Sequence, residues 1–79
     1  MEEYLKVFAQ RLRTLRIEKN LTQQELAETI GTAKSTISQY ESCKREPVLS
    51  ILIKLAKALD VDIPYLIGES DVKKTGEVI

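Results

Sequence analysis

Apolar residues recur along this chain at the three- and four-residue steps of helices, and strands are not evident. Leu5, Phe8, Leu12 and Leu15 mark one face of a first helix over about Glu3 to Lys19. Leu26, Ala27 and Ile30 mark a second, and Ile37 and Tyr40 a third over about Lys34 to Ser42. Leu49, Leu52, Ile53, Ala56 and Leu59 form the expected core stripe of a fourth, over about Val48 to Leu59. Leu66 and Ile67 close the core from a short fifth helix. The pattern predicts an all-α domain spanning residues 1–68. Residues 69–79, "ESDVKKTGEVI", read as a polar tail or linker: the end of a small protein, the reading favoured here, or a lead into a further domain.

Punctuation between the stripes supports these boundaries. "TQQE" at 22–25 is a capping box, in which Thr22 caps the second helix while Glu25 reaches back. Gly31 supplies the left-handed residue that ends it. "REP" at 45–47 breaks the chain before the fourth helix, and Asp62 is placed to cap the fifth, with Pro64 in its first turn. Arg16 falls near the apolar arc of the first helix, so it needs a partner; Arg11 and Arg13 are expected to be solvated.

Seventy-nine residues make one domain at most. Cys43 is the only cysteine and histidine is absent, which removes an internal disulfide and any metal set of His and Cys. No apolar run is long enough to cross a bilayer, and the acidic "MEEYLKVFAQRLRTL" start is unlike a targeting signal, so a reducing cytoplasm is the expected location. An enzyme is not expected: there is no Gly-rich phosphate loop, and so small a core leaves no cleft to desolvate a nucleophile. Twelve basic and twelve acidic residues cancel overall. They are unevenly spread, because residues 6–45 carry eight bases against four acids, while residues 46–79 carry four against six. Local field rather than total charge attracts a polyanion.

"LTQQELAETIGTAKSTISQYE", followed by "KREP" and "LIKLAKALDVDIPYLIG" and preceded by "LRTLR", resembles the lambda-repressor-like (Xre/Cro) helix-turn-helix family over roughly residues 8–68. The resemblance implies a compact five-helix domain whose second and third helices form the DNA-reading unit. On the third helix Lys34, Ser35, Ser38 and Gln39 share the face opposite Ile37 and Tyr40, and each can hydrogen-bond to a base edge. The family makes its base contacts at the matching positions. Phosphate contacts are expected from Gln23, Thr36, Ser42, Lys44 and Arg45 around that helix. The family also pairs the positions of Arg16 and Glu41, which implies a bidentate tie between the first and third helices.

Three residues depart from the family pattern. Ala33 stands where a Ser or Thr usually caps the third helix, leaving Thr32 as a substitute; Cys43 replaces a glycine after it; Val48 replaces a serine cap after the proline. A redox role for Cys43 lacks a resolving partner. The expected function is a sequence-specific double-stranded DNA-binding transcriptional regulator, a repressor acting as a homodimer, without cofactor, metal or membrane. The alternative is a protein-interaction module of antirepressor or antitoxin type, with a protein partner. Candidate dimer residues are Ile17, Leu66, Ile67 and the tail valines Val72 and Val78.

Overall fold

In a computed structural model, which describes residues 3–76, five α-helices follow one another: α1 (Glu3–Glu18), α2 (Gln23–Ile30), α3 (Lys34–Glu41), α4 (Leu49–Leu59) and α5 (Ile63–Leu66). The capping box of α2 is formed in both directions: Thr22 Oγ1 accepts from the Glu25 N–H at 3.0 Å, and the Thr22 N–H donates to Glu25 Oε1 at 2.8 Å. The core joins Phe8, Leu12 and Leu15 of α1 to Leu26, Ala27 and Ile30 of α2, and to Ile37 and Tyr40 of α3. Leu55, Leu59, Val61 and Leu66 complete it from the C-terminal half. Helix α3 packs on both α1 and α2, α4 supports α2 from behind, and α5 joins α4 to α1. The Phe8 and Tyr40 rings meet edge to face, with centroids 5.8 Å apart and planes at 73°, the arrangement that ring quadrupoles favour.

All five helices end the same way. The residue two past the last helical one, or one past it, turns left-handed, and two backbone N–H groups reach back to carbonyls left over in the last turn. The left-handed residues are Asn20 (φ 60°), Gly31 (φ 74°), Cys43 (φ 64°), Asp60 (φ 58°) and Gly68 (φ 86°). After α3, for example, the Cys43 N–H donates to Tyr40 O at 3.2 Å and the Lys44 N–H to Gln39 O at 2.9 Å. Asn and Asp tolerate this conformation, whereas Cys gains nothing there to offset the clash of its Cβ. Gly68 is needed for space as well, because a Cβ would stand 2.8 Å from Val7 Cγ1 on α1.

Several expectations are corrected. Leu49 and Ile53 are 65% and 39% exposed, and fully buried Leu55 takes their place in the core. Apolar residues nearly encircle α4, so periodicity left the direction of its inner face open by a few tens of degrees; the seat against α2 decided it. Ala33, Val48 and Asp62 occupy N-cap positions without any side-chain cap bond, so Thr32 does not replace the lost cap of α3. Leu66 is fully buried and cannot serve a dimer surface; Ile67 is half-buried, Ile17 and Val72 are exposed, and Val78 lies outside the described residues.

Residues 70–75 lie along the body as a strap. The Asp62 N–H donates to Lys73 O at 2.7 Å, and the Asp62 carboxylate accepts from the Thr75 N–H and hydroxyl, both at 2.6 Å. Lys74 Nζ meets Asp60 at 2.8 Å and Lys73 Nζ meets Glu18 at 3.4 Å. Arg11, expected to be solvated, sits inside this strap. Its guanidinium lies 4.0 Å from the centre of the Tyr65 ring, donates to the carbonyls of Tyr65 and Ser70, and pairs with Asp71 at 3.1 Å. Arg11 occupies the flank of the α1 apolar arc opposite Arg16, so the arithmetic that flagged Arg16 applies equally to it.

Two outcomes are expected. Cys43→Gly removes left-handed strain of about 1 kcal/mol and should raise the melting temperature by about 4–8 °C; an unchanged or lower value in a thermal melt would show that Cys43 is unstrained. The hydrogen bonds from Thr75 hold Asp62 below its ordinary pKa of 3.8, and Lys74 does the same for Asp60. Because both folded values are depressed, their stabilisation is complete above 3.8 and is lost as pH falls through the lower folded values. Hydrogen exchange at Thr75 should therefore lose protection in that acid window, and Asp62→Ala should abolish the protection at neutral pH.

Candidate nucleic-acid interface

Helix α3 has two unlike sides. Ile37 (0% exposed) and Tyr40 (3%) seat it in the core, while Lys34, Ser35, Ser38 and Gln39 are all exposed on its outer side. Thr36 is half-buried at the edge between them. At eight residues, α3 is too short to persist alone in water, where about 12–15 residues are needed. Its outward face therefore exists only as far as the inner side is held.

Much of that hold is electrostatic. Arg16 Nε donates to Glu41 Oε2 at 2.6 Å, and Arg16 Nη2 to Glu41 Oε1 at 3.1 Å. Gln23 Nε2 donates to the same Oε1 at 3.1 Å, and Arg16 Nη1 to Leu21 O at 2.7 Å. One carboxylate thus ties the end of α1 and the start of α2 to the last turn of α3. The side chains of Arg16 and Glu41 are only 11% and 3% exposed. Hydrogen bonding to Glu41, helped by its negative charge, raises the Arg16 pKa above its ordinary value, outweighing the opposing effect of burial.

The flanking candidates separate into two groups. Gln23 lies at the first position of α2, half-buried, with its amide nitrogen turned to Glu41. Ser42, Lys44 and Arg45 follow α3 in its exposed left-handed exit. The Ser42 hydroxyl donates back to Ser38 O at 2.6 Å. Arg45 Nη1 donates to Gln39 Oε1 at 3.3 Å, and its guanidinium carbon lies 6.0 Å from the centre of the Tyr40 ring. Arg45 is therefore brought to the outer face of α3, a placement that loop composition did not signal. Arg13 is exposed on α1, and Arg11 is committed to the strap near α5.

The sequence profile of the helix-turn-helix family matches residues 12–66. The HTH-type transcriptional regulator YobD of Bacillus subtilis (strain 168) is 43% identical over 65 residues, covering 82% of this chain and 58% of its own length. This chain thus spans less than two thirds of that relative. Among solved structures, the restriction-modification controller protein C.AhdI from Aeromonas hydrophila superposes with a TM-score of 0.74 at 40% identity, covering 78% of this chain and 94% of that one. The P22 c2 repressor protein, solved in complex with a synthetic operator, gives a TM-score of 0.77 at 30% identity, covering 81% and 97%.

Removing one member of the Arg16–Glu41 pair strands the other in a nearly closed site. Arg16→Met or Glu41→Gln should each cost about 2–3 kcal/mol in urea denaturation, and the double substitution less than their sum. Additive losses would show that the two side chains do not act as a unit.

Proposed function

The chain belongs to the lambda-repressor-like helix-turn-helix family, and from that premise we propose that it is a sequence-specific double-stranded DNA-binding transcriptional regulator, a repressor that occupies a near-palindromic operator as a homodimer. The carrying observation is the unlike sides of α3: a polar face of short hydroxyls, one amide and one ammonium, on a helix anchored through its opposite side by Ile37, Tyr40 and the Glu41 tie. A helix of about 10–12 Å diameter fits a major groove about 12 Å wide. Lys34, Ser35, Ser38 and Gln39 then read base edges. Gln23, Thr36, Ser42, Lys44 and Arg45 fix the register on phosphates, Gln23 through the backbone N–H at the start of α2 and the amide hydrogen left over from Glu41. No covalent chemistry is required; occupancy of the operator is the output.

Two copies would set their α3 helices about 34 Å apart, one per half-site. Val48 (62% exposed), Leu49 (65%) and Ile53 (39%) form the exposed apolar strip that follows the loop after α3, and this strip replaces Leu66 as the dimer candidate. The same strip favours the second reading, a protein-interaction module, since a partner protein could cover it instead.

Selection of bound duplexes from a randomised library near 150 mM salt tests the reading. A near-palindromic consensus is expected. Lys34→Ala should relax one position per half-site by about 1–3 kcal/mol, and Lys44→Ala should weaken all sequences alike while reducing the salt slope by about 1. No enrichment, with retention at background even at low salt, would overturn it and leave the protein-interaction reading.

A further inference from the structure

The three arginines of α1 are engaged differently. Arg11 is held by the strap and Arg16 by Glu41, whereas Arg13 is exposed and forms no ion pair with the described residues. No acid stands three or four positions from it along the helix, where its neighbours are Ala9, Gln10, Arg16 and Ile17. The packing of α3 sets its surroundings. Tyr40 meets Phe8 and Glu41 meets Arg16, two residues about 12 Å apart along α1, so the last turn of α3 crosses α1 about midway, level with Arg13. Around the helix Arg13 lies about 60° from Arg16, on the side away from the apolar arc, with Ala9 between them. Ala9 is only 5% exposed, so packing covers that flank as far as Ala9 and leaves Arg13 at its rim. The exposed exit at residues 42–45 begins from the same turn of α3, and Gln23 at the start of α2 is bonded to Glu41 there.

We infer that Arg13 is a further phosphate-contacting residue, which holds the DNA backbone from α1 beside the contacts made by α2 and by the loop after α3. The inference rests on the DNA-binding reading proposed above. A guanidinium presents its N–H donors in a planar fork and can grip two phosphate oxygens at once, which the ammonium of Lys44 does only as a point charge. The acids of α1 and α3 do not oppose it. Glu41 is taken by Arg16 and Gln23, Glu18 pairs with Lys73, and Glu3 lies about 15 Å back along the helix. Because Arg13 begins exposed and unpaired, a phosphate contact breaks no existing bond. Arg11, by contrast, would first have to leave two carbonyls and Asp71. A backbone contact fixes register and carries no sequence information, so Arg13 acts on affinity and leaves the choice of base to α3.

The test uses the full chain on duplexes selected by the wild type, and compares it with Arg13→Ala, Arg13→Gln and Lys54→Ala. Lys54 is an exposed cation of α4 beside Gly31, at the opposite end of α2 from Gln23, so its loss removes the same charge from another surface. Both Arg13 variants should weaken binding roughly ten-fold at about 150 mM salt, alike for every sequence, and reduce the salt slope by about 1 for each copy bound. In an ethylation-interference assay they should lose sensitivity at one phosphate per half-site and keep the rest. Lys54→Ala should leave affinity, slope and interference pattern as in the wild type. Three results would overturn the inference: an unchanged slope and interference pattern in the Arg13 variants; equal losses in Arg13→Ala and Lys54→Ala, the mark of a general field; or a changed base preference. Wild-type protein that binds no duplex even at low salt overturns the DNA-binding reading itself, and this inference with it. Alanine favours an exposed helical position, and Gln keeps much of the stem, so matching thermal melts are expected; weakened binding that tracks a lowered melting temperature would assign Arg13 to the fold instead.

Discussion

The outward face of α3 depends on one carboxylate. Glu41 accepts two hydrogen bonds from Arg16 and one from Gln23, at 2.6–3.1 Å, in a site where its side chain is 3% exposed. In such a place a single missing donor leaves charge uncompensated, so the arrangement is stable only when all three helices are in position. That requirement converts local geometry into orientation. Helix α3 cannot rotate about its own axis without pulling Glu41 away from Arg16, and the polar face is therefore aimed by a contact made on the far side of the same helix.

This dependence matters because α3 has weak ends. Ala33 leaves its first turn without a side-chain cap, and Cys43 occupies the left-handed exit at φ 64°. Both features cost stability that Ser and Gly would have kept. The helix is eight residues long and draws its persistence from Ile37, Tyr40 and the Glu41 tie. Five left-handed exits also explain how so short a chain turns between helices at all: each spends two backbone bonds on closing the old helix before the next begins.

Net neutrality is resolved by where the ion pairs form. Among the described residues, the pairs are Arg16–Glu41, Arg11–Asp71, Lys73–Glu18 and Lys74–Asp60. Three of the four fasten the strap, so acids and bases cancel there. Lys34, Lys44 and Arg45 belong to none of these pairs, and Arg45 bonds to a neutral amide. The balance of charges along the chain therefore conceals a local surplus beside α3, which is the quantity a phosphate backbone senses.

What the linear sequence determined was whatever rests on short-range chemistry. The five helices, the capping box at Thr22 and Glu25, the turn at Gly31 and the inner side of α3 follow from spacing and from residues that act on neighbours three or four positions away. Arg16 was legible as a charge near an apolar arc, and the family resemblance supplied Glu41 as its partner. Tertiary structure decided the rest, because the determining neighbours lie far along the chain. The inner face of α4 passed from Leu49 and Ile53 to Leu55 only through its seat against α2. Arg11 found carbonyls more than fifty residues away, and residues 70–75 became a strap because Asp60 and Asp62 were already held in place by the corner between α4 and α5. Arg45 came to Gln39 through a backbone angle at Cys43 that no side-chain pattern encodes. Periodicity reports which residues want to be buried; the partner that buries or binds them is set by packing, and packing is a property of the whole chain at once.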